Sequence, residues 1–167
     1  MIIKQIDKNE LLDLFFDLVA EVEFGNHFEK SNPEYIKLLK DTVNKHIGNG
    51  AEIFGYYEDE GNKPIGFVTT VVGKRLRAMT ECEVLEIGVV KEVRSRGYGS
   101  KLLEFVEKYY DKKNIYCILV RTYAADFEAI HFYGKNGYAP ISVIPDTQGP
   151  GDEGTIVMRK RLPISKK

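Results

Sequence analysis

Tryptophan is missing from this chain, and cysteine, methionine and histidine are scarce, with 2, 3 and 3 residues among 167. Cys82 and Cys117 stand far apart, each in an apolar strand-like segment and neither in a Cys-x-x-Cys pair. They read as two reduced, buried thiols rather than a disulfide framework or a nucleophile. His27, His46 and His131 lack ligand-like spacing, so no metal is expected. No apolar run approaches the ~20 residues needed to span a bilayer, and the amino terminus has no apolar signal-peptide core. The expectation is a soluble, cytoplasmic protein without a membrane partner. Charge of one sign is also lacking: 24 Lys and Arg face 25 Asp and Glu, so no long-range field draws in nucleic acid. Any charged partner must be met by a local patch.

What is present suffices for one core. At 167 residues and 43% hydrophobic content, the chain is expected to form a single domain over 1–167. Ile2 to Ile6 has the pattern of a short strand, and Asp7 with Glu10 forms a capping box before a helix. Leu11, Leu12, Phe15, Phe16, Leu18, Val19 and Val22 give that helix one wide apolar face. Ser31-Asn32-Pro33-Glu34 starts a second helix, which carries Ile36, Leu39, Val43 and Ile47 and ends near Gly48 and Gly50.

The period then changes to that of strands. Ala51 to Glu58 and Pro64 to Val72 form a hairpin across a polar turn, and Thr80 to Val90 is a third strand. A glycine-bearing run follows, then a helix marked by Leu102, Leu103, Val106, Tyr109 and Tyr110. Ile115 to Thr122 is the next strand, and Asp126 caps a helix that runs through Lys135 and stops at Asn136-Gly137. Two last strands, Pro140 to Ile144 and Thr155 to Arg161, flank a loop rich in Pro, Gly and acid. The order β-α-α-β-β-β-α-β-α-β-β predicts an α/β fold with helices on the faces of a mixed sheet. The parallel pair lies around the helix that starts near Gly99.

Arg94-Ser95-Arg96-Gly97-Tyr98-Gly99-Ser100 sits where a strand ends and a helix begins. A helix start offers unpaired N–H groups and the positive end of its dipole. Gly97 and Gly99 let a bulky anion approach the backbone, and Arg94 and Arg96 add charge at the rim. The natural guest is a phosphate or pyrophosphate. A glycine turn also serves simply to turn the chain, so these residues alone leave the guest open. A P-loop is excluded because no Gly-Lys-Ser/Thr follows, and a dinucleotide fold because G-x-G-x-x-G is not spelled.

Arg94-x-x-Gly97-x-Gly99 resembles the Gln/Arg-x-x-Gly-x-Gly/Ala signature of the GCN5-related N-acetyltransferase (GNAT) superfamily. A second stretch, Ala129-Ile130-His131-Phe132-Tyr133-Gly134-Lys135-Asn136-Gly137-Tyr138, resembles that family's A-x-x-F-Y-x-x-x-G-F/Y pattern at its usual distance downstream. The resemblance covers nearly the whole chain and is tight from Glu81 to Tyr138. It implies the GNAT fold, a mostly antiparallel central sheet of about seven strands with four helices, and acetyl-coenzyme A as co-substrate.

Further implications follow from the resemblance. The amides of Arg94, Ser95, Arg96, Gly97, Tyr98, Gly99 and Ser100 would hold the coenzyme A pyrophosphate. The backbone of Ile87, Gly88 and Val89, beside a bulge, would pair with the pantetheine arm, and Gly88 also reads as a plain kink. Asp126 stands where many members place an Asn against that arm, although Asp is in any case a good helix cap. Tyr133 matches the tyrosine that protonates the departing thiolate in much of the family, a role suited to a phenol, which is neutral at pH 7. A core aromatic is the alternative.

The acceptor ammonium must lose a proton before it can attack, and Glu81, Glu83 and Glu86 are available on one strand. Glu83 matches by spacing the glutamate of histone-acetylating members, while Glu86 should project to the opposite face unless a bulge reverses it. Position 119 is Leu where some amino-terminal acetyltransferases carry a glutamate. The family builds its acceptor site from stretches corresponding to Glu21–Lys30 and Pro145–Gly154. Both are acid-rich: Glu21, Glu23, Glu29, Asp146, Asp152 and Glu153 suit a cationic amine or only solvate loops, and Phe24 and Phe28 would supply an apolar wall. Pairing of two copies through the last strands fits the same family. The alternative reading is a non-catalytic module that binds or senses acyl-coenzyme A.

Overall fold

The computed structural model describes residues 2–6, 32–59, 63–73, 80–147 and 149–163. The helix expected over Leu11–Val22, its capping residues Asp7 and Glu10, and the acceptor stretch Glu21–Lys30 lie outside the described residues. Seven strands form one sheet: β1 (Ile2–Gln5), β2 (Glu52–Tyr57), β3 (Gly66–Val72), β4 (Glu81–Val89), β5 (Cys117–Tyr123), β6 (Ala139–Ile144) and β7 (Thr155–Arg161). Their order is β1-β2-β3-β4-β5-β7-β6. β1–β2, β2–β3, β5–β7 and β6–β7 pair antiparallel, and β4–β5 is a parallel pair. Among the described residues the α-helices are α1 (Pro33–Gly48), α2 (Tyr98–Asp111) and α3 (Phe127–Lys135). None of them is long and apolar enough to cross a membrane.

The chain divides into two compact units, Met1–Val71 with Glu86–Leu102, and Val72–Leu85 with Leu103–Lys167. In the first, Ile53 to Tyr57 of β2 and Gly66 to Thr70 of β3 are all buried, so this hairpin is covered on both faces. Leu39 and Val43, four apart on α1, bury the stripe read from the sequence. The structure also explains Gly66. A Cβ there would lie 2.9 Å from the carbonyl oxygen of Gly88, so the backbones of β3 and β4 approach closely at Gly66.

In the second unit Cys82 and Val84 of β4 alternate with less buried neighbours, and Ile118 and Val120 of β5 face Lys160 and Met158 in register. Leu103, Val106 and Tyr110 of α2 are fully buried, and both cysteines are free and buried. The β4–β5 ladder runs from Glu81↔Cys117 to Val84↔Val120, and β4 continues to Val89 beyond it. β6 is the last strand in the order and is exposed along its length, with a register shift between Pro140 and Ser142.

Two helices end in the same way. After α1, Gly50 takes φ +81°, its N–H donates to the Ile47 carbonyl, and the Ala51 N–H donates to the His46 carbonyl. After α3, Gly137 takes φ +85°, its N–H donates to Gly134, and the Tyr138 N–H donates to Tyr133. Each is a Schellman closure, in which a left-handed residue lets the chain return to satisfy the helix's last carbonyls. Asn136 itself stays right-handed at φ −88° and donates its side-chain amide to the Phe132 carbonyl, so the left-handed conformation expected of Asn136-Gly137 falls on the glycine. Gly137→Ala is expected to destabilise the fold by about 1–2 kcal/mol, the cost of a β-carbon at positive φ. The shift of the urea midpoint at unchanged m-value measures it.

Candidate active site

The strand-to-helix junction of the first unit is bent by single residues. A 3-10 turn over Lys91–Val93 follows β4, and Arg94 then runs extended at φ −59° and ψ 161°. Its Nε donates to the Val89 carbonyl at 2.9 Å, which ties the turn to the strand end. Ser95 and Gly97 take φ +63° and +80°. A serine in that region is a strained choice that the surroundings must hold in place. The first helical bond runs from the Lys101 N–H to the Gly97 carbonyl at 3.1 Å. Among the described residues, no amide from Ser95 to Ser100 donates to a backbone carbonyl. A Cβ built on Gly97 meets no atom within 4 Å, so the space beside this residue is open. Tyr98 anchors the helix start, its ring 5.1 Å from that of Tyr56. These are the properties of an anion cradle: undonated N–H groups at a 14-residue helix's positive end, left-handed residues that expose them, and arginines beside them.

The β4 carboxylates have different surroundings. In the second unit Glu83 stands opposite Leu119, and its Oε1 accepts from Arg121 Nε at 2.6 Å, with both groups partly exposed. In the first unit Glu86 is buried, and its Oε1 lies 3.2 Å from His46 Nε2 at the end of α1. The loop before β7 organises its own acids: Asp146 Oδ1 accepts from the Gly151 N–H at 2.7 Å, and Asp152 accepts from the Gly154 N–H. The Tyr123 hydroxyl donates to Glu153 Oε2 at 2.5 Å. That bond holds the Glu153 carboxyl below its ordinary range and raises the Tyr123 phenol.

Tyr133 lies in the last turn of α3, buried between Phe132 and Tyr138 at centroid distances of 5.2 and 5.9 Å. Burial, with a smaller contribution from the Asp126 charge, pushes its phenol up to about 12. The group is therefore a proton donor throughout the neutral range. Asp126 accepts from the Ala129 N–H at 2.9 Å, the helix cap read from the sequence.

These arrangements can be set beside known proteins. A profile of the acetyltransferase (GNAT) family matches residues 13–138. The chain belongs to the GNAT acetyltransferase family. A comparison with curated protein sequences finds no match. The GNAT fold itself extends over the whole chain. An aminoglycoside 6'-N-acetyltransferase complexed with coenzyme A superimposes with a TM-score of 0.74 at 18% identity, covering 100% of this chain and 99% of that one. A GNAT-family acetyltransferase from Desulfovibrio desulfuricans gives 0.72 at 17% identity, covering 96% and 98%. The ribosomal-protein-S18-alanine N-acetyltransferase from Escherichia coli gives 0.69 at 17%, covering 99% and 96%. At such identities the likeness is one of fold.

Within this GNAT chain the structure gathers Val89 and Arg94 to Ser100 at one junction, and it gives Tyr133, Asp126 and Glu83 defined partners in the second unit. His46 and Arg121 are the partners that sequence reasoning missed. Arg121 could have been found from the parallel register, since it lies two residues beyond Leu119 and so on Glu83's face. His46 carries no local signal, because its partner is 40 residues away.

The sign of the Tyr133 shift sets an alkaline prediction. A phenol raised from 10 to about 12 on folding contributes stability that is complete below pH 10 and is lost as pH rises through 12. A rise from 10 to about 12 corresponds to at most about 3 kcal/mol. Between pH 9 and 12 the wild type should therefore lose about 2–3 kcal/mol more than Tyr133→Phe, measured by urea unfolding at each pH.

Proposed function

We propose that this chain is a single-domain N-acetyltransferase that transfers an acetyl group from acetyl-coenzyme A to a primary amine of a small molecule or peptide, by direct attack in a ternary complex. The observation that carries this reading is the cradle. Among the described residues, amides from Ser95 to Ser100 reach no backbone carbonyl, at a helix start where Gly97 leaves open space. A pyrophosphate fits such a donor set, with Arg94 and Arg96 adding charge at the rim. The backbone of Ile87, Gly88 and Val89, past the last β4–β5 pair, serves the pantetheine arm as an added strand would.

Tyr133 protonates the leaving sulfur. Its burial keeps the phenol protonated at neutral pH, which suits a general acid and excludes a base. A β4 carboxylate, Glu83 or Glu86, assists removal of the acceptor's proton. Asp126 sets the start of the helix that carries Tyr133. No metal takes part in this scheme. The cytoplasm, where acetyl-coenzyme A is made and used, is the proposed compartment, and exposed Ile141, Val143 and Ile144 on edge strand β6 are the proposed contact between two copies.

Acetyl-coenzyme A at a hundredfold excess over Kd should stabilise the fold by about 2.7 kcal/mol, a rise in Tm of roughly 5–10 °C. No rise at large excess would end the reading. Gly97→Val should abolish most of that rise, because a β-branched residue does not hold the φ of +80° on which the turn depends. Tyr133→Phe should keep the rise and lower kcat about a hundredfold in an assay of coenzyme A release with a panel of amines. Full binding with no turnover on any amine, and no effect of Tyr133→Phe, would instead identify a sensor.

A further inference from the structure

Arg159, Lys160 and Arg161 follow one another on β7, and the sheet divides them. Lys160 turns to one face, where its Nζ donates to Glu107 of α2 at 2.7 Å. Arg159 stands opposite Leu119 and Arg161 opposite Cys117, so both turn to the other face. The β4–β5 register puts Glu83 beside Leu119 and Glu81 beside Cys117 on that same face. Arg121, two residues beyond Leu119, shares it and is committed to Glu83 at 2.6 Å. At the far end of the face the Tyr123 hydroxyl engages Glu153. All of these residues belong to the second unit.

Among the described residues neither Arg159 nor Arg161 forms an ion pair. Like charges two residues apart on one strand face repel, and the side chains opposite them, Cys117 and Leu119, offer no counter-charge. Charged side chains often guard a sheet edge, but β7 lies between β5 and β6. The two charges also gather over one place: burial pushes the Cys117 thiol up, and Arg159 and Arg161 both oppose that rise. Arg159 is half-buried and Arg161 exposed. Two guanidinium forks rising from backbone positions about 7 Å apart match the oxygens of a carboxylate.

The sheet also sets a distance. Arg159 is two strands from Glu83, roughly 10 Å at the usual strand spacing. An extended peptide covers that span in about three residues. We propose that the acceptor is a peptide with a carboxylate about three residues from the reacting amine, and that Arg159 and Arg161 hold this carboxylate. The proposal rests on the acetyltransferase reading with Glu83 at the amine, and adds to it the class of acceptor. The acceptor's ammonium and its carboxylate then meet opposite charges on one sheet face.

The test is steady-state kinetics with acetyl-coenzyme A and four acceptors: a diamine, and three peptides with a free amino terminus that differ only in Glu, Gln or Lys at the fourth position. The Glu peptide should exceed the Gln peptide in kcat/KM about tenfold, through KM rather than kcat, with the Lys peptide poorest. Arg159→Gln and Arg161→Gln should each cut that preference about threefold, and the two together should remove it. Arg159→Lys, which keeps the charge without the fork, should keep part of it. Arg159→Glu should make the Lys peptide the best of the three, and Arg161→Glu takes its place if that variant does not fold. Lys108→Gln removes an exposed positive charge on α2, paired with Glu104, and should leave the order of the peptides as it is in the wild type.

The proposal is overturned if the Gln or Lys peptide serves as well as the Glu peptide, if the diamine alone is acetylated, or if the double substitution leaves the preference in place. In each of these outcomes the acetyltransferase reading stands. Wild-type protein that is stabilised by acetyl-coenzyme A but acetylates no amine would remove the transferase reading, and this proposal with it.

Discussion

The last carbonyls of a helix must find donors, and in this chain meeting that demand fixes the backbone at the residues whose side chains meet buried partners. At the ends of α1 and α3 a glycine in the left-handed region turns the chain back so that two amides reach the final turn. The carbonyl taking the longer return bond belongs to His46 in one helix and to Tyr133 in the other. Backbone satisfaction thus fixes each residue before its side chain makes a contact. For Tyr133 the closure also brings in Tyr138, whose ring packs at 5.9 Å and contributes to the burial that keeps the phenol protonated.

The opposite demand operates at the start of α2. There the amides find no carbonyl among the described residues, at a turn with two residues at positive φ, one of them a serine. Both the strain at Ser95 and the undonated amides are costs to the free chain that the proposed anion would offset. Arg94 is partly committed to the fold, since its Nε holds the Val89 carbonyl. The turn is therefore braced from the strand side and open on the helix side.

Charge on β4 is divided by burial. Glu83 meets Arg121 in a partly exposed pair, an arrangement that contributes little to stability but engages the carboxylate. Glu86 meets an imidazole, and its side chain is buried. Removing one partner of such a buried pair strands the other, so His46 and Glu86 should be more sensitive to substitution than Glu83 and Arg121.

By itself the sequence determined most of what is local. The alternating and helical periods placed the seven strands and three described helices to within a residue or two. Asn32 and Asp126 announced their caps, and Gly97 and Gly137 marked turns, because each of these signals is carried by neighbours in the chain. The paired motifs around Gly97 and Tyr133 identified the family for the same reason. Only the tertiary structure decided which carboxylate is engaged, which is buried and which histidine stands beside it. Those outcomes depend on groups brought together from 38 and 40 residues apart, Glu83 with Arg121 and Glu86 with His46. Hydrogen bonds and burial between distant strands and helices leave no periodicity in the chain, so chemistry that rests on them becomes visible only once the sheet has formed.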